Sequence, residues 1–126
     1  MIYGCETWVM SVEQVMRVER TEMRMVRWMC GVSLRERKTN EELRQRMGIE
    51  AVGVVMKRNR LRWLGHVLRK DDDDWVKRSM SLEVDGKRGR GRPRLTWIKM
   101  VERDMRERGL VKEDVLDRER WKKMSW

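Results

Sequence analysis

Three stretches of this chain open on a Ser or Thr that can cap a helix and close on a glycine, and this punctuation most constrains the fold. Ser11 is followed three residues later by Gln14, and Thr39 by Glu42. At that spacing the hydroxyl accepts from the backbone N–H of the third helical residue, whose own side chain reaches back to the cap. Thr96 supplies a further cap. Gly31, Gly48 and Gly109 stand where a left-handed residue ends a helix. Helices are therefore expected from Ser11 to Cys30, from Thr39 to Gly48, and over Trp97 to Arg108.

Hydrophobic spacing adds one more, over Ala51 to Arg69. There Val52, Val55, Met56, Trp63 and Val67 form one apolar stripe, and Leu61, Leu64 and Leu68 a second. A helix apolar on two faces is usually central, so Trp63 is expected to anchor the core. Gly65, inside this helix, costs about 1 kcal/mol against Ala and points to close approach of another helix or a ligand backbone. On the first helix Val12, Val15, Met16, Met23, Val26, Met29 and Cys30 share a broad apolar face. Residues 1 to 10 read as an irregular apolar segment. Residues 75 to 85 are weakly patterned and expected to be partly mobile. After the last helix, Trp121 and Met124 suggest docking of one or two short turns, with Asp117 as cap.

Strand-like runs are nearly absent. The expected class is all-α: a small, irregular assembly of about four helices with a basic Gly/Arg/Pro loop, partly disordered. Three divisions follow: a helical segment over 1–70, an acidic linker over 71–85, and the basic loop with the C-terminal helices over 86–126. The chain has 12 Met and 7 Trp but no Phe. Methionine adapts to gaps and specifies packing weakly, so a loosely defined core is expected.

Lys and Arg number 31 against 21 Asp and Glu, a net charge of +10, which favours a polyanionic partner. The excess is uneven: residues 31 to 70 carry +7 and 86 to 99 carry +6, whereas 71 to 85 carry −4. Arg17, Arg20, Arg24 and Arg27 recur at spacings of three, four and three, forming one stripe on the first helix. That stripe suits a phosphate ridge, and equally a solvated helix face. Arg58, Arg62 and Arg69 share a strip of the long helix. Arg60, Arg62 and Trp63 interleave basic and aromatic groups as single-strand binding surfaces do. The strongest local signal is the loop containing Lys87, Arg88, Arg90, Arg92 and Arg94, in which three glycines and Pro93 exclude a regular element. Its Arg90-Gly91-Arg92-Pro93 run resembles an AT-hook core, which lies in narrow minor grooves. It serves RNA phosphates as well.

Other classes are poorly supported. Cys5 and Cys30 form no metal-ligand spacing, and the chain holds a single histidine, so no zinc finger or knuckle can be built. Cys30 is expected to be a buried free thiol. His66 is expected to be partly buried and hydrogen-bonded, with no nucleophile or carboxylate beside it. Asp71 to Asp74 point in successive directions and repel one another, which favours a solvated helix-ending loop over a metal site. No phosphate-binding loop, nucleophile elbow or metalloprotease motif occurs. No catalytic residue, cofactor or small-molecule substrate is expected. With no signal peptide and no long apolar run, neither secretion nor a membrane partner is expected, which leaves a nuclear or cytoplasmic location.

Read together, several blocks resemble a known family. Tyr3-Gly4-Cys5-Glu6-Thr7-Trp8 and Arg24-Met25-Val26-Arg27-Trp28-Met29-Cys30-Gly31-Val32 are similar to the region just after the polymerase domain of non-LTR retrotransposon (RTE-like) reverse transcriptases. Leu61-Arg62-Trp63-Leu64-Gly65-His66-Val67-Leu68-Arg69, Gly89-Arg90-Gly91-Arg92-Pro93-Arg94-Leu95-Thr96-Trp97 and Asp117-Arg118-Glu119-Arg120-Trp121 continue the pattern over nearly the whole chain. The resemblance implies a thumb-adjacent, C-terminal segment of an endonuclease and RNA-directed DNA polymerase polyprotein, one that holds RNA or DNA. The family's polymerase carboxylates lie upstream of Tyr3, so none carries over. Some relatives have a Cys/His zinc knuckle, and this chain does not. A start almost inside a family motif implies a truncated relic, a truncated gene model or a host-encoded remnant. The upstream polymerase domain would then be a partner for Met-rich surface. The alternatives are an AT-hook-like DNA-binding module and a helical relic without function.

Overall fold

The computed structural model describes residues 4–82, 86 and 89–125. Among them six α-helices and three short 3₁₀ turns carry the regular structure, with no strand. The chain is all-α, with six helices where the sequence suggested about four. They are α1 Val12–Cys30, α2 Asn40–Met47, α3 Val52–Leu68, α4 Trp75–Ser81, α5 Trp97–Glu107 and α6 Arg118–Ser125.

The capping signals place their helices. Ser11 Oγ accepts from the Gln14 N–H at 3.2 Å while Gln14 Oε1 accepts from the Ser11 N–H at 2.7 Å. Thr39 and Glu42 make the same exchange, both at 3.2 Å. Gly31 and Gly48 each end a helix at φ +64, a conformation that glycine alone adopts without strain. Thr96 caps α5 through the Lys99 N–H at 3.4 Å.

Two helices depart from expectation. Trp75–Ser81 forms α4 because Asp74, last of the acidic run, is an N-cap: its Oδ1 accepts from the Val76 N–H at 2.9 Å. Residues 83–85 of that weakly patterned segment lie outside the described residues. The expected C-terminal turns extend into the eight-residue α6, and Asp117 Oδ1 accepts from the Arg120 N–H at 3.0 Å. Trp121 docks as expected, 2 % exposed.

The chain gathers into two compact units. These units divide the chain differently from the sequence boundaries at 70 and 85. One unit comprises Met10–Lys57. Its core is Met23 and Val26 of α1 against Leu43 of α2, flanked by half-buried Cys30, Val32 and Met47. Only part of α1's apolar face is covered, and Val12, Met16 and Met29 are exposed. The reason is length: 19 residues of α1 span about 28 Å, and the eight of α2 about 12 Å. Glu22 is buried and pairs with Arg44 at 3.1 Å.

The other unit comprises Met1–Val9 and Arg58–Trp126. Its core joins Leu61 and Leu64 of α3, Val101 and Met105 of α5, then Leu110, Val115 and Trp121. Burial of each such side chain contributes about 1.5–3 kcal/mol. The N-terminal turn Cys5–Thr7 is held by α5, because the Trp97 indole N–H donates to the Glu6 carbonyl at 2.7 Å. Inside the unit lies a buried ion pair. Arg60 Nε and a terminal guanidinium nitrogen both donate to Asp104 Oδ2, at 2.8 and 2.7 Å. Cys30 is free as expected but only half-buried, whereas Cys5, also free, is fully buried. Burial of Cys5 follows from its place in the docked N-terminal turn.

Candidate nucleic-acid interface

In the unit built on Arg58–Trp126, the C-terminal half of α3 and α6 flank an open cavity of about 600 Å³. α3 contributes Asn59, Arg62, Trp63 and His66, and the residue just past its end contributes Arg69. From α6 come Arg118, Lys122 and the edge of Trp121. Four of these side chains are cationic, and the lining acids are Glu6 and Glu119. The cavity therefore carries net positive charge. Arg118 and Lys122 sit four apart on one face of α6, which is why both reach the same opening.

Trp63 was expected in the core, but it is half-buried and forms part of the cavity wall. Its ring lies tilted against His66, centroids 5.6 Å apart and planes at 34°. His66 is exposed, not partly buried, because it faces the side of α3 opposite Leu64 and Val67. The core is filled by Leu61 and Leu64 of the second stripe, with Val67 from the stripe that holds Trp63.

Arg69 has a structural task. It donates to the Val115 carbonyl at 3.0 Å, tying the end of α3 to the Lys112–Val115 turn. Burial holds its guanidinium below the usual arginine range, and the charge of Arg118 beside it acts in the same direction. Two like charges thus face one opening. Arg58 is half-buried and Arg62 exposed.

The arginines of α1 divide in a similar way. Arg20, Arg24 and Arg27 line a groove of about 740 Å³ together with Arg44 of α2. Arg17 lies outside that lining and pairs with Glu13 at 2.6 Å on an exposed surface. Arg27 is half-buried and donates to the Lys38 carbonyl at 2.7 Å. It is therefore a bracket for the connector before α2, not an open member of a solvent-facing stripe. Met16, Met23 and Leu34 share the groove, so the arginine and apolar faces of α1 meet there.

Arg90, Arg92 and Arg94 are exposed in a segment with no helix or strand, around Gly91 at φ +136. Lys87 and Arg88 lie outside the described residues. Arg118, Lys122 and Arg44 were not singled out from the sequence; the i, i+4 spacing of Arg118 and Lys122 was the available signal. Among the described residues no group of three His, Cys, Asp or Glu is placed to hold a metal, and no helix is long and apolar enough to cross a membrane. In the acidic run Asp72 pairs with Lys77 at 2.7 Å and Asp74 with Lys70 at 2.9 Å.

No protein-family model, curated protein or solved structure matches the chain.

Proposed function

We propose that this chain is a non-catalytic nucleic-acid-binding segment of the kind that follows the polymerase domain in non-LTR retrotransposon reverse transcriptases. The observation that carries the reading is cationic convergence: Arg62, Arg118 and Lys122 at one cavity beside Trp63, with the exposed Arg90, Arg92 and Arg94 loop in the same unit. Guanidinium groups bridge phosphate oxygens bidentately, and an aromatic wall offers a face to a base. The family resemblance supports the same partner.

Binding of fluorescent single-stranded and duplex oligonucleotides, DNA and RNA, is to be measured against salt. A protein making about four phosphate contacts loses about 100-fold in affinity between 50 and 200 mM salt. Affinity that is weak at low salt, or indifferent to it, would sink the proposal. The exposed Arg90-Gly91-Arg92-Pro93 run favours a second reading, an AT-hook-like module. Preference for AT-rich over GC-rich duplex in competition would support that reading, and equal binding would remove it.

A further inference from the structure

We propose that the cavity between α3 and α6 takes one unstacked nucleotide of a single strand, its base against Trp63 and His66 and its phosphate between Arg118 and Lys122. This inference rests on the nucleic-acid reading above and narrows it to a strand type and a subsite. At about 600 Å³ the cavity lies within the size range of small-molecule sites, about 300–1,000 Å³. Two tilted rings, Trp63 and His66, stand in its wall. Asn59, also in the wall, carries an amide with both donor and acceptor atoms for a base edge.

The electrostatics ask for an anion. Arg69 and Arg118 face each other closely enough for one to disfavour the charge of the other. Among the described residues neither Arg118 nor Lys122 forms an ion pair with a carboxylate. A phosphate between Arg118 and Lys122 offsets the charge that Arg118 presents to Arg69 and receives charge-assisted hydrogen bonds. A paired base offers neither its face nor its Watson–Crick edge, so the site selects single strands.

The test uses the full chain at low salt, with a labelled 12-nucleotide DNA strand, the same strand with abasic positions, and its duplex. Trp63→Leu should weaken binding of the intact strand by about 5- to 150-fold, the range for loss of one stacked base, and leave duplex binding within about twofold. The unaltered protein should bind the abasic strand as weakly as the variant binds the intact one, a comparison that needs no variant to fold. Arg118→Gln with Lys122→Gln, both at exposed positions, should flatten the single-strand salt slope by about 0.7, the value for loss of one phosphate contact. Equal losses on strand and duplex, or abasic and intact strands bound alike, would overturn the subsite while leaving nucleic-acid binding intact. Absence of salt-dependent binding by the unaltered chain would remove the underlying reading, and this inference with it.

Discussion

The Trp121 indole lies directly against α3 at Gly65: its Nε1–H donates to the Leu61 carbonyl at 3.1 Å, and a Cβ on residue 65 would stand 2.6 Å from its Cδ1. Trp121 is buried, and its indole N–H is held on the Leu61 carbonyl. Replacing a mid-helix glycine by Ala normally stabilises by about 1 kcal/mol. Here the sign should reverse. Gly65→Ala is expected to destabilise by about 1–3 kcal/mol, as overpacked cores do, measured by urea unfolding. A neutral or stabilising result would mean that Trp121 does not pack there.

Arg60 and Asp104, both almost fully buried, form the ion pair inside the larger unit. Removing one partner leaves an uncompensated charge away from water. Asp104→Ala should therefore cost about 3–5 kcal/mol in the same assay. Arg60→Met combined with Asp104→Leu should recover most of that loss, because an apolar pair avoids the desolvation cost. A double variant no better than the single one would show that the pair is not coupled.

Asp74 carries a pH dependence. Its carboxyl is held below the usual range first by the hydrogen bond from Lys70, then by backbone N–H groups of α4. The folded pKa is lower than the unfolded one, so the contribution is present above about pH 3.9. It is lost as pH falls through the depressed folded value. Amide protection factors at Val76 and Lys77, taken against the unfolded-chain exchange rate at each pH, should fall over that acid window. Asp74→Asn, which retains a capping oxygen, should keep α4 while flattening the pH response. Protection factors indifferent to pH in the parent chain would refute the cap.

Cys5 should be chemically quiet. Burial pushes its thiol up, and the neighbouring Glu6 adds to the effect. Thiolate, not thiol, is the nucleophile. In a Cys30→Ser background, reaction with a disulfide reagent at neutral pH should wait on opening of the Cys5–Thr7 turn and follow the unfolded fraction. A rate equal to that of a small-molecule thiol would show that the turn is undocked. Because the folded pKa is raised, stability should also decline as pH climbs past about 8.5.

What the sequence determined by itself is the local punctuation. Ser11 with Gln14, Thr39 with Glu42, and Gly31, Gly48 and Gly109 act within one helical turn, so their consequences are written beside them. The exposed Arg90 to Arg94 loop is legible for the same reason: glycine and proline forbid regular structure wherever the rest of the chain lies. α4 was obscured because Asp74, a cap, sits in a run of four like charges. Only tertiary structure decided the rest. Arg60 meets an acid 44 positions away, and Arg69 reaches the Val115 carbonyl, 46 away. Arg27 braces Lys38 instead of standing open. Trp63 becomes cavity wall because Leu61 and Leu64 fill the core and α6 packs across Gly65. A periodic pattern says which residues share a helix face. Which face is covered, and by what, depends on the length and capping of helices far along the chain.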